Sequence, residues 1–158
     1  MKAPYLIVRR TPYEEPYHTH LYFCASNGVF TAAVDMYCKV DDLADIGAAL
    51  KAFPAKLPDE YFYEYGSLKP DDEMYRYFRL RFYTLDHAGH CAMQFTANLR
   101  DDEPYEGVST FSFKADPAAI NRLGQLFETF HKLQHLELQW SPDGGRLFDH
   151  AQGSFNLP

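Results

Sequence analysis

The stretch Leu80-Arg81-Phe82-Tyr83-Thr84-Leu85-Asp86-His87-Ala88-Gly89-His90-Cys91-Ala92-Met93-Gln94-Phe95-Thr96-Ala97-Asn98 decides the fold class. Apolar and polar residues alternate on both sides of Asp86-His87-Ala88-Gly89, the pattern of two half-buried strands around a turn. Placing Leu85 opposite His90 sets Phe82 against Met93, Leu80 against Phe95 and Phe78 against Ala97. These six share one face, because side chains two apart along a strand point the same way. The reverse face carries Tyr77, Arg79, Arg81 and Tyr83 beside Ala92, Gln94, Thr96 and Asn98. Gly89 is placed to supply the positive φ that such a turn needs. The hairpin as a whole is expected over Met74 to Leu85 and Gly89 to Leu99.

Outward from it, a second hairpin is expected from His18 to Ser26 and Val29 to Val40, around Asn27-Gly28. That dipeptide suits a two-residue type I′ turn. Pairing Ser26 with Val29 sets Ala25 against Phe30, Phe23 against Ala32 and Leu21 against Val34, with His20 and Asp35 neighbours on the other face. Tyr5 to Arg10, Tyr61 to Tyr65 and Val108 to Lys114 are further strands. Asp41 is read as an N-cap before Leu43, Ile46 and Leu50 at helical spacing, and Phe53-Pro54 stops that helix. Asp116-Pro117 opens a second helix, whose apolar stripe is Ile120, Leu123, Phe127 and Phe130. His131 to Trp140 fits either the end of that helix or one more strand. The expected architecture is α+β, a mostly antiparallel β-sheet with two amphipathic helices packed on one face. Residues 1–140 are expected as a single domain and 141–158 as a loosely ordered C-terminal tail.

Composition bounds the function. The 158 residues hold 15 Lys+Arg against 22 Asp+Glu, a net charge of −7. Nucleic-acid and anionic-membrane binders need a basic footprint, so this balance argues against both. Aromatic residues make up 16% of the chain, which favours a β-rich fold with ring-lined surfaces. Cys24, Cys38 and Cys91 form neither an even framework nor a C-x-x-C motif, which points to a reducing compartment. The apolar run Tyr5 to Val8 is too short for a signal or a membrane span, so a cytoplasmic protein is expected.

Signals for catalysis are sparse. His18-x-His20 puts two imidazoles on one strand face, and His90 would be a third zinc ligand, but no further carboxylate or cysteine completes the set. Asp86 to His90 is explained by turn chemistry, and there is neither a G-x-S-x-G elbow nor a phosphate loop. No enzyme activity, metal or cofactor is expected. The stripe Tyr75, Tyr77, Arg79, Arg81 and Tyr83 has the residue types of protein interaction hot spots and, on an open sheet, of single-stranded nucleic-acid platforms, which the charge disfavours. The plainer reading is that the stripe packs or stabilises the sheet through cross-strand pairs. Acidic runs flank it at Asp71-Asp72-Glu73 and Asp101-Asp102-Glu103. A meander would bring those runs to one sheet end, about two strand spacings apart.

The order of these motifs resembles a known family. The D-x-x-G-H turn inside Leu80 to His90, the strand Cys91 to Arg100 and Phe111-Ser112-Phe113-Lys114-Ala115-Asp116-Pro117 carry the likeness. Gly28-Val29-Phe30-Thr31, Asp41-Asp42-Leu43 and Phe53-Pro54 extend it from about Tyr22 to Phe130. Together they are similar to WapI-like bacterial immunity proteins of polymorphic and contact-dependent toxin systems. The resemblance implies a non-catalytic protein that neutralises a basic protein toxin by occlusion, with no nucleic acid or membrane as partner. The Tyr/Arg stripe and the six acids would then be the binding residues. A small metal-dependent enzyme built on His18, His20 and His90 is the alternative, as is a self-associating structural subunit, a homodimer included.

Overall fold

The structure is a computed structural model that describes residues 2–71 and 76–152. It is an α+β fold whose strands divide into two antiparallel sheets. The first is formed by β1 (Tyr5–Thr11), β2 (His18–Ser26), β3 (Thr31–Lys39), β8 (Glu137–Ser141) and β9 (Gly144–Phe148), in the order β3-β2-β1-β8-β9. The second is the meander β4 (Glu60–Tyr65), β5 (Tyr77–Thr84), β6 (Cys91–Asn98) and β7 (Val108–Lys114). Helix α1 (Val40–Lys51) links the first sheet to the second, and α2 (Pro117–Phe130) leads back.

Each sheet has one apolar face, and the two faces together with both helices enclose one core. Leu6, Val8, Leu21, Phe23, Val34 and Met36 come from the first sheet, and Phe78, Leu80, Phe82, Met93 and Phe95 from the second. The rings of Phe23 and Phe78 meet at 4.6 Å, and those of Phe113 and Trp140 at 6.0 Å, so aromatic contacts join the sheets at two places. The central hairpin has the register read from its sequence: Phe82 opposes Met93, Leu80 opposes Phe95 and Phe78 opposes Ala97. In its turn, Asp86 Oδ1 accepts from the N–H groups of Ala88 and His90, and Gly89 has φ +88°.

The first hairpin differs by two residues. Ser26 pairs with Thr31 rather than Val29, because Asn27 builds a four-residue loop. Its Oδ1 accepts from the N–H groups of both Val29 and Phe30, and its own N–H donates to the Phe30 carbonyl. A slip of two residues preserves the faces. His20 therefore still meets Asp35, at 3.0 Å, although the residue directly opposite it is Tyr37.

The tail expected from residue 141 is corrected in part: Gly144–Phe148 is strand β9, paired to β8 through a tight turn in which Ser141 Oγ accepts from Asp143 N–H. Leu147 gives this strand an apolar anchor on the core. Arg10, 6% exposed, clasps the segment before β8 by donating to the carbonyls of Leu133 and His135, while Glu15 neutralises it at 2.7 Å.

The helices meet backbone to backbone where Gly47 faces Gly124. A Cβ on Gly124 would lie 2.6 Å from the Lys51 nitrogen and 2.9 Å from the Gly47 carbonyl oxygen, so the two backbones touch there. Asn121 of α2 donates to the Leu50 and Phe53 carbonyls and thus caps the end of α1. At its start, α1 departs from expectation: the N-cap is Lys39, without a side-chain bond, and Asp41 lies inside the first turn. Helix α2 is capped as read, with Asp116 Oδ1 accepting from Ala119 N–H at 2.8 Å. Asp116→Ala is expected to cost about 1 kcal/mol of stability, measured by urea denaturation. A loss under a few tenths would show that the bond contributes nothing net.

Candidate binding face

The face of the four-stranded sheet that points away from the core is built in rows by the register. Glu60, Tyr83, Ala92 and Lys114 lie across the strands in one row. Phe62, Arg81, Gln94 and Ser112 form the next, followed by Glu64, Arg79, Thr96 and Thr110. The strand period of two dictates this composition: Tyr61, Tyr63 and Tyr65 go to the core while Glu60, Phe62 and Glu64 go out. The face is open, with Phe62 50% exposed.

Its charged groups are held in place. Arg81 donates from Nε and Nη2 to Glu60 Oε2, at 3.2 and 2.9 Å, and its guanidinium lies 4.0 Å over the Tyr83 ring. Arg79 donates to Gln94 Oε1 at 3.1 Å, and its buried Nε has no hydrogen-bond partner among the described residues. Tyr77 donates to Glu64 Oε2 at 2.7 Å. Burial, that bond and the Glu64 charge push the Tyr77 phenol up to about 12, so it is a neutral donor at physiological pH. Thr110 and Thr96 hydroxyls join β7 to β6 at 3.2 Å.

Four of the stripe residues, Tyr77, Arg79, Arg81 and Tyr83, are brought together here as the alternation required. Tyr77 is buried, and the other three are half-buried. Tyr75, Asp72 and Glu73 lie outside the described residues. The meander does put the β4–β5 and β6–β7 connections at the same sheet end. Two arginines that sequence reasoning passed over tie these connections together. Arg76 donates to the Leu99 carbonyl and to Asp101 Oδ2, and Arg100 donates to the carbonyls of Ser67 and Lys69. Asp101 is thereby paired, and Asp71, Asp102 and Glu103 are exposed turn residues. Phe62 and Lys114 were also missed. The alternation in Glu60 to Tyr65 was the available signal for Phe62.

The three histidines do not assemble a metal site. His20 is 8% exposed, packed between the rings of Tyr22 and Tyr37 and bonded to Asp35. His90 belongs to the Asp86 turn of the other sheet, bonded to Asp86 at 2.7 Å. Among the described residues, no three His, Cys, Asp or Glu side chains converge. All three cysteines are free and buried, and burial with the nearby Asp42 pushes the Cys38 thiol up to about 12. No helix among the described residues is long and apolar enough to cross a membrane. A cleft of about 470 Å³ on the five-stranded sheet, beside Tyr5, Ile7, Gln139, Arg146 and Phe148, presents Arg146 as its cation, turned onto the Phe148 ring.

No known family model matches the chain, and no curated protein does. Two solved structures resemble it. One is the plant transcriptional regulator PBF-2, with TM-score 0.45 and 12% identity over 83% of this chain and 76% of that one. The other is WHY3 from Arabidopsis thaliana, with TM-score 0.43 and 13% identity over 83% and 82%.

One is described as a transcriptional regulator, and neither is described as an immunity protein. The expectations of an immunity protein, of a basic toxin as its partner and of nucleic acid excluded are corrected on this finding. Net charge alone does not say where on the surface the charges sit. The open face carries Arg79, Arg81 and Lys114 against Glu60 and Glu64, while Asp41, Asp42 and Asp45 sit on α1 and most other acids in loops.

Proposed function

We propose that the protein binds single-stranded nucleic acid on the open face of the β4–β7 sheet and performs no chemistry on it. The observation that carries this reading is the row structure of that face. An exposed ring, Phe62, and a ring–guanidinium stack, Tyr83 with Arg81, alternate with hydroxyl and amide side chains. Rings and guanidinium planes stack on unpaired bases, amides and hydroxyls bond to base edges, and cations track the phosphates. A duplex hides its base faces, so the same surface gives it little beyond phosphate contacts. The three free cysteines suit a reducing compartment, and a cytoplasmic location belongs to the proposal.

Fluorescence anisotropy with a labelled single-stranded oligonucleotide at low salt tests the reading. The single strand is expected to bind more tightly than the matching duplex, with affinity falling as salt rises. Phe62→Ala removes one stacking platform, worth about 1–3 kcal/mol per base, so the affinity should drop roughly 5- to 150-fold. Absence of single-strand binding at low salt, or equal binding by Phe62→Ala, would overturn the proposal.

A further inference from the structure

We infer that the cleft at the Asp86-turn end of this face is a slot for one nucleotide of the bound strand, its base on the Arg81–Tyr83 stack and its phosphate at Lys56. The inference rests on the proposed nucleic-acid reading and names where a strand is gripped. The cleft measures about 440 Å³ and is lined by Lys56, Pro58, Asp59, Glu60, Arg81 and Tyr83. That size lies in the range of small-molecule sites.

The polar groups of the cleft are committed to one another, with one charged exception. Asp59 accepts from Ala55 N–H through Oδ2 and from Glu60 N–H through Oδ1. Thr84 Oγ1 accepts from Asp59 N–H. The Glu60 carboxylate is taken by Arg81. Lys56 is exposed and has no ion pair or hydrogen bond among the described residues. The Asp59 carboxylate is held by backbone N–H groups. Lys56 is therefore the cation of the cleft left without a carboxylate partner among the described residues, and it is free to meet a single phosphodiester.

The Arg81 guanidinium is pinned twice: Glu60 fixes it in plane, and the Tyr83 ring lies 4.0 Å beneath it. A planar cation so held has little orientational freedom left to lose when a base stacks on it. Glu60 also cancels much of its charge, so the plane acts more as a stacking surface than as a phosphate clamp. Lys56 supplies the electrostatic contact separately. Base recognition and phosphate recognition thus come from two side chains on different segments, a few residues before β4 and late in β5.

Two measurements on the full chain test this. The first is the salt dependence of oligothymidine binding by Lys56→Ala. Loss of one phosphate contact should reduce the slope of log K against log[salt] by about 0.7, whereas Lys132→Ala, beyond the end of α2, should leave it unchanged. The second is photocross-linking of a 5-iodouridine oligonucleotide, with the cross-linked peptide identified by mass spectrometry. Cross-links to Tyr83 are expected. If the strand binds and Phe62→Ala weakens it, but Lys56→Ala keeps the full slope and Tyr83 is not cross-linked, the slot is wrong and the face reading stands. If no strand binds at low salt, both are overturned together.

Discussion

Gly124→Ala is expected to lower stability by about 3 kcal/mol or more, near the upper end of what overpacking costs. Alanine is the better helix former by about 1 kcal/mol, so propensity alone predicts the opposite sign. The added Cβ would stand 2.6 Å from the Lys51 nitrogen and 2.9 Å from both the Leu50 carbonyl carbon and the Gly47 oxygen. All three are backbone atoms, so no side chain can rotate away and α1 must separate from α2. Gly144→Ala is the matched control, since nothing lies within 4 Å of its added Cβ. Urea denaturation followed by far-ultraviolet circular dichroism measures both. A Gly124→Ala midpoint equal to wild type would show that the helices are not in backbone contact.

Phe78→Ala should cost about 3–5 kcal/mol, the range for deleting a fully buried ring. Phe78 is 0% exposed and touches rings from three strands: Phe23 at 4.6 Å, Phe95 at 5.3 Å and Tyr63 at 6.4 Å. Its loss removes both transfer free energy and the contact that joins the two sheets. Phe62→Ala, on the same sheet but facing solvent, should change stability by no more than about 0.5 kcal/mol. Comparable destabilisation by the two variants would mean that the open face is covered in solution. The comparison also protects the binding test, because Phe62→Ala can then weaken nucleic-acid binding without unfolding the protein.

The central hairpin was legible because its alternation and its Asp86–Gly89 turn agree on one register. In the first hairpin the faces were legible and the loop was not. Asn27 can favour a type I′ turn or cap a longer loop with its side chain, and only tertiary packing selects between them. The division into two sheets left no local trace. A strand's pattern says that one face is buried, not which strand lies beside it or what covers it. Strand β9 was hidden because Gly144-Gly145 and Pro142 read as breakers, although glycine is tolerated where a strand lies close under a helix. For the candidate site, Tyr77, Arg79, Arg81 and Tyr83 were legible from the period of two. Phe62, Lys56 and Lys114 were not, since their place beside that stripe depends on strand order.

The position of β1 between β2 and β8 has a consequence for how the molecule is made. Arg9 and Glu137, which form an ion pair in this sheet, are separated by 128 positions. On a ribosome, β1 emerges ahead of β2 and can pair with it as soon as it follows, but its other edge must wait for residues 137–141. The β4–β7 meander, closed by neighbours in sequence, needs no such wait. Long-range pairing of this kind slows folding, because loop closure is paid before any contact rewards it. During that interval β1 offers a free strand edge to any other nascent chain, the exposure that chaperones exist to shield.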